Sequence, residues 1–304
     1  MASYGIIIHY GLYSFYAFDD IKSAKKRKIQ NGSEWYYGRL IESGTYRPIS
    51  GHKTTKEHHL TNFGNGNYFD NIDKIIDDKE KIKNWVKTCK NNGASYIILT
   101  SKHHDGVCLW NTNTTNKKSK LDILDIFKNE CIENNIDFGF YYSWLEFGQP
   151  FSVNYFTHVC LPQIEELLKY NPKYMWFDGH WKITQKSIIK SISKIIETMK
   201  SGGILINDRI GGNNYEQCDY RVFSDRYIPT EKLNIKWQHV NTIGYSWGYN
   251  KTQVTDYKTG EDIYKLYLQI TDLGGELLLN IGPNQNGDII DEELSVLKYL
   301  REKL

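Results

Sequence analysis

Short apolar runs alternate along this chain with longer stretches whose apolar residues recur every three or four positions. That alternation narrows the fold more than any other feature. The strand-like runs are 5–8 (GIII), 96–100 (YIILT), 138–142 (FGFYY), 174–177 (YMWF), 204–207 (ILIN) and 276–280 (ELLLN), with 220–223 and 236–240 as weaker candidates. Between them, residues 79–91, 121–134, 155–170, 187–200 and 261–273 read as amphipathic helices, as do the last residues, 291–304. Ile82, Trp85, Val86 and Cys89 show the spacing. Buried strands separated by helices make βαβ units and a parallel sheet. About eight strands in one unbroken series favour a (β/α)8-type, TIM-like barrel, so an α/β fold with a single domain over residues 1–304 is expected. An open doubly wound sheet fits the same periodicity, but no GxGxxG follows the first strand, which weakens a dinucleotide-binding version. Residues 19–78 are the least regular stretch and read as an extended loop with short helices over one end of the barrel.

The chemistry sits where those strands end. His9 follows the first strand, and His103, His104 and Asp105 follow the second. Tyr141, Tyr142 and Ser143 end the third, Asp178 and Gly179 the fourth, and Asn207, Asp208 and Arg209 the fifth. In a parallel barrel the C-terminal strand ends carry the ligand-handling groups, and five successive coincidences point to an active site. Two chemistries suit the set. His9, His103, His104 and Asp178 could ligate a hydrolytic metal. An amidohydrolase-type site, however, places two histidines on its first strand as HxH, where this chain has His9 alone, and the adjacent His103 and His104 are expected to point apart. Sugar hydrolysis needs a carboxylate nucleophile, a proton donor and polar partners for hydroxyl groups. That reading is favoured, with no metal and no cofactor. Within WFDG, Trp176 and Asp178 lie two apart and leave the same face of their strand.

Composition removes other classes. The formal net charge is +2, which argues against a nucleic-acid partner, and the short basic run Lys25, Lys26, Arg27, Lys28 reads as solvated surface. No apolar run approaches the ~20 residues of a membrane span. The five cysteines, Cys89, Cys108, Cys131, Cys160 and Cys218, are scattered without CxxC spacing and are expected as free thiols. No secretory leader is legible in this numbering, so a cytoplasmic location is expected. Aromatic residues make up 14% of the chain, which suits a large core and, secondarily, a cleft that stacks sugar rings.

Taken in order, the motifs resemble the glycoside hydrolase family 29 α-L-fucosidases over nearly the whole chain. They are GIIIHYGLYS (5–14), SEWYYGRL (33–40), YIILTSKHHDGVCLW (96–110), FGFYYS, YMWFDG, ILINDR, TIGYSWGYN (242–250) and GGELLLNIGP (274–283). Lys-His-His-Asp-Gly is the most specific of them. The resemblance implies a retaining hydrolase acting on a fucosylated glycan or glycoconjugate, with Asp178 as nucleophile and a covalent fucosyl-enzyme intermediate. By the same match, His9, Glu34, His103, His104 and Arg209 bind hydroxyl groups or position charge, and Tyr141 lies near the nucleophile. Trp35, Trp176 and Trp247 enclose the fucose ring and its methyl group. A guanidinium beside Asp178 would also keep that carboxyl ionised.

Two departures stand out. Many relatives continue into a C-terminal β-sandwich, whereas this chain stops at Leu304, where the barrel motifs end, so no sandwich is expected. Relatives carry the acid/base as a Glu between the Asn-Asp-Arg and Thr-Ile-Gly motifs. Here Ser224 takes that place with Asp225 beside it, and Gln238 replaces a Glu that often follows Trp. Asp225 is therefore the expected proton donor, with Glu216 and Glu231 as alternates. The competing expectation is a fucose-binding or impaired hydrolase-like protein that keeps the pocket but lacks efficient proton donation.

Overall fold

A computed structural model describes residues 4–26, 32–42, 51–212 and 214–304. Seven parallel strands form one curled sheet: β1 (Tyr4–Ile8), β2 (Ala94–Lys102), β3 (Asp137–Ser143), β4 (Tyr174–Asp178), β5 (Leu205–Ile206), β6 (Gln238–Thr242) and β7 (Glu276–Ile281). Their order across the sheet is β5-β4-β3-β2-β1-β7-β6. Helices Lys79–Asn91, Ile123–Glu133, Leu161–Leu168, Lys186–Ser201, Gly260–Asp272 and Asp291–Lys303 stand between or after the strands. Each long helix follows from its apolar stripe and its ends. In Lys186–Ser201 the buried residues are Ile188, Ile192, Ile195, Ile196 and Met199, one face of a 3.6-residue repeat. Thr259 and Asp262 close a capping box at the start of Gly260–Asp272.

Strand alternation sorts the core into two layers. Ile6, Ile8, Ile97, Leu99, Phe140, Phe177, Leu277 and Leu279 pack with the helix stripes. A second cluster of Ile7, Tyr96, Ile98, Tyr141, Trp176, Val222, Val240, Trp247 and Leu278 contains no residue of those helices and fills the concave side. The strand expected at 220–223 is reduced to isolated bridges, Asn207 to Tyr220 and Arg221 to Trp237. The backbone bonds there are Asp219 N–H to Ile206 O (2.9 Å), Asp208 N–H to Tyr220 O (3.1 Å), Arg221 N–H to Lys236 O (3.0 Å) and Gln238 N–H to Arg221 O (2.8 Å). The strand expected at 236–240 begins at Gln238 and reaches Thr242. The helix expected at 155–170 is interrupted by a wider turn over Phe156–Cys160. Pro162 explains it, because it cannot donate to the carbonyl of His158 as an α-helix would require.

The irregular stretch after β1 carries helices Ile21–Lys26, Tyr36–Leu40 and His52–Phe63. Of the basic run, Lys25 pairs with Asp256 at the surface, and Arg27 and Lys28 lie outside the described residues. All five cysteines are free thiols. Among the described residues, no helix is long and apolar enough to cross a membrane.

Candidate active site

The site assembles at the C-terminal ends of the strands. Asp178 closes β4 and is followed by Gly179, whose φ of 75° is left-handed. A Cβ there would stand 2.8 Å from the backbone nitrogen of Leu145, so the turn that exposes the carboxyl needs glycine. Asp178 Oδ2 accepts from the Tyr141 hydroxyl at 2.9 Å, and Oδ1 accepts from Arg209 Nη1 at 3.4 Å. Burial alone would push this carboxyl up. The Arg209 guanidinium, helped by the Gly179 amide and the Tyr141 hydroxyl, more than offsets burial and holds it below the usual aspartate value. Arg209 sits in the short turn Asp208–Ile210 after β5, with its guanidinium 5.0 Å from the centre of the Trp176 ring. Burial acts to lower its pKa, but Asp225 and Asp178 more than restore it, so Arg209 is a fixed cation.

Two histidines are locked as acceptors. Asn280 Nδ2 donates to Trp247 O at 2.7 Å, which turns Oδ1 toward His9 Nδ1 at 2.6 Å. A carbonyl oxygen can only accept, so Nδ1 carries the proton and Nε2 keeps its lone pair. Ser143 donates its hydroxyl proton to Leu145 O (2.8 Å) and must therefore accept from His104 Nδ1 at 2.6 Å. His104 Nε2 then presents a lone pair 3.6 Å from Asp178 Oδ2. Burial depresses both imidazoles to about 4, so both stay neutral at physiological pH. A ligand that donates hydroxyl protons suits this arrangement.

His103 and His104 do not diverge as expected. Strand alternation stops at Lys102, and the two rings lie 4.2 Å apart past the strand end. His103 stacks on Tyr141 at 5.3 Å. His9, His103, His104 and Asp178 thus share one site, yet among the described residues no group of three or more His, Cys, Asp or Glu is arranged to hold a metal.

The aromatic positions also come together. Trp176 stacks on Tyr141 at 5.5 Å, Trp247 lies 5.3 Å from His9, and Trp35 meets His104 edge-on at 5.4 Å. Glu34 is fully buried. Its Oε1 accepts from Gly32 N–H (2.6 Å), and its Oε2 accepts from Trp247 N–H (3.2 Å), Gly248 N–H (3.1 Å) and the Ser246 hydroxyl (3.2 Å). In this structure it staples the turn carrying Trp35 to the loop carrying Trp247. Burial raises its pKa against the pull of those amides.

On the acid/base side, Asp225 Oδ1 accepts from Arg209 Nη2 at 2.6 Å, so one guanidinium holds Asp178 and Asp225 together. Ser224 is exposed beside it. Phe223 and Arg226 both have left-handed φ, at 52° and 61°, which sets the two flanks of this short loop in a sparsely populated conformation. Gln238 is buried and used up elsewhere: it accepts from Trp176 Nε1 and donates to the Tyr96 hydroxyl, both at 2.8 Å. Glu216 and Glu231 are solvent-exposed and make no hydrogen bond or ion pair to site residues among the described residues.

Sequence reasoning missed Asn280 and Trp181, and it marked Ser143 at a strand end without seeing that it fixes the proton of His104. Asn280 lies one residue from the end of its strand, so the strand-end rule that found the others could have found it. Trp181, 44% exposed, brings its ring 5.8 Å from His104 at the rim.

A family model described as alpha-L-fucosidase matches residues 2–302. An α-L-fucosidase of Dictyostelium discoideum is 27% identical over 98% of this chain, and a plasma α-L-fucosidase of Pongo abelii is 30% identical over 95%. The chain spans 68% and 63% of the length of those relatives. The crystal structure of Thermotoga maritima α-fucosidase in complex with fucose superposes with a TM-score of 0.78 at 27% identity, covering 99% of this chain and 71% of that one.

Proposed function

This chain belongs to the α-L-fucosidase family of glycoside hydrolases, and from that premise we propose that it removes terminal α-L-fucosyl residues from glycans with retention of configuration. The observation that carries the reading is Asp178, kept ionised by Arg209 and Tyr141 within a ring of imidazoles and indoles. In the first step Asp178 attacks the anomeric carbon, the glycosidic C–O bond breaks, and the leaving oxygen takes a proton from an acid. In the second, water attacks the fucosyl ester and gives its proton to the conjugate base. His9 and His104 accept from sugar hydroxyls, and Trp35, Trp176 and Trp247 pack against the ring and its methyl group. Asp225 is the proposed acid/base, since it shares Arg209 with the nucleophile. The substrate's arrival would have to draw it off that guanidinium, because an ion-paired carboxylate has no proton to give.

The seven strands and the bridged segment 219–222 support reading the sheet as a closed eight-position barrel, with residues 1–304 as one catalytic domain. Val222 in the inner cluster favours this.

A 2-fluoro-fucosyl fluoride should label Asp178, located by peptide mass spectrometry. Asp178→Asn should lose about 10³-fold or more in turnover with its thermal midpoint little changed. A label on another carboxylate would refute the assignment. The second reading, a pocket with impaired proton donation, is favoured by Ser224 and by the Asp225–Arg209 ion pair. It requires nitrophenyl fucoside to be cleaved while fucosylated glycans are bound and left intact.

A further inference from the structure

Two cations converge on one residue at the end of β6. Arg226 Nη2 donates to Thr242 Oγ1 at 3.0 Å, and Lys258 Nζ donates to Thr242 O at 2.6 Å. Both side chains are half-buried, and among the described residues neither forms an ion pair with a carboxylate. The acidic groups that face them are already engaged. Asp225 is held by Arg209, Glu34 by loop amides, and Asp262 by the Thr259 amide and hydroxyl at 2.8 and 2.7 Å. Arg226 Nε is buried with no hydrogen-bond partner. A half-buried pair of like charges without a counter-ion is costly, and a chain keeps such an arrangement most readily where an anion completes it. Burial, and after it the neighbouring Arg226, depresses Lys258 to about 8, in keeping with that missing partner.

The place of this pair decides what the anion belongs to. Arg226 directly follows Asp225, its backbone N–H is fixed to Val240 O at 3.2 Å, and its guanidinium lies 4.7 Å from the centre of the Trp247 ring. It therefore borders the fucose pocket on the side where the leaving oxygen would be protonated. Resting on the fucosidase reading for its location, we propose that Arg226 and Lys258, both anchored on Thr242, form an anion subsite that receives a carboxylate or sulfate-type group on the residue from which fucose departs. Arg226 offers the fork that matches a planar or tetrahedral oxyanion, and Lys258, held on the Thr242 carbonyl, adds a second charge.

The test uses Asp178→Asn protein, so that affinity is read without turnover. Calorimetry compares 3-carboxy-4-nitrophenyl α-L-fucoside with its methyl ester, and the 3-sulfo analogue with its dimethylsulfonamide. The charged member of at least one pair should bind about fivefold more tightly, and the arm that shows it identifies the anion. Arg226→Gln or Lys258→Gln, each added to Asp178→Asn, should bring that ratio to about one, while Arg226→Lys should retain part of it. Raising the salt to about 0.5 M should shrink the ratio. Equal affinities within both pairs, no binding of any probe, or a preference that survives both glutamine variants would overturn the proposal. Turnover of plain 4-nitrophenyl α-L-fucoside by the wild-type protein is measured separately. Its absence would count against the fucosidase reading and leave the affinity comparison to stand or fall alone.

Discussion

Asn280 acts at a distance from the chemistry through the two ends of one amide. One end fixes the proton on His9 and the other holds the Trp247 backbone. Asn280→Asp keeps an oxygen facing His9 Nδ1 but makes it anionic, which favours the imidazolium. His9, now at about 4, should rise by about 1–2 pH units. A protonated His9 has no lone pair at Nε2 and cannot accept from a sugar hydroxyl. The acid limb of kcat/KM should therefore move upward by the same amount, with KM rising more than kcat falls. A merely structural role would depress activity equally at every pH, so a parallel profile would refute the assignment. Residues of this kind mark the limit of reading the chain alone. Asp178, Arg209 and the histidines were legible because they interrupt apolar runs at strand ends. Asn280 was passed over as the last letter of ELLLN, because its value lies in a contact with a residue 271 positions away. Glu34 was legible as a site residue, but the backbone amides that consume its oxygens leave no trace in a motif.

At the scale of elements, period and capping were readable and interruptions were not. The helices at 186–201 and 260–272 lie within a residue of their expected bounds. β5 was expected at four residues and has two: Ile204 N–H bonds back to Met199 O at 3.0 Å, and Asn207 uses its side chain instead, accepting from Phe177 N–H at 2.8 Å and donating to Phe177 O at 2.9 Å. The final helix shows a different dependence on burial. Glu293, in its first turn, is buried and accepts from Gly282 N–H through both oxygens, at 3.0 and 3.2 Å. Burial pushes this carboxyl up to about 8. Its native value lies above the ordinary 4.5, so the folded chain keeps a proton that the unfolded chain releases. The stability it contributes is full below about pH 4.5 and is lost as pH rises toward 8. Glu293→Gln retains an acceptor for Gly282 and does not titrate. The stability of that variant relative to wild type should therefore increase between pH 5 and pH 8.5, by on the order of 4 kcal/mol, measured as urea midpoints at the two pH values. A difference that stays constant with pH would mean that Glu293 is ionised in the native protein.

For the molecule as a whole, the question is whether the curled sheet closes. Seven strands leave β5 and β6 as edges, and among the described residues only the bridged segment 219–222 stands between them. The sequence marked this segment as a weak strand for a physical reason: in DYRVF only Val222, with the half-buried Tyr220 beside it, joins the inner cluster, and the charged Asp219 and Arg221 alternate with them. Its place depends on Asp208, whose carboxylate accepts from Arg221 Nε at 2.6 Å and from Val222 N–H at 2.9 Å. One buried side chain thus takes over part of the work of a strand ladder. If the segment is a true stave, the amides of Asp208, Arg221 and Gln238 should exchange with deuterium nearly as slowly as those in β1 and β2, because all are internally bonded and no edge remains. Asp208→Ala removes both acceptors and leaves Arg221 without its carboxylate, at a cost of about 2–3 kcal/mol. Exchange should then accelerate first at 219–222 and 236–238, while β1 to β3 stay protected. Activity should fall with it, because the loop that carries Asp225 and Arg226 begins where this segment ends. Fast exchange at Gln238 in the wild type, unchanged in Asp208→Ala, would mean that the bridges are not a closing strand, and the molecule would be an open curl whose active-site loop is tethered from one side only.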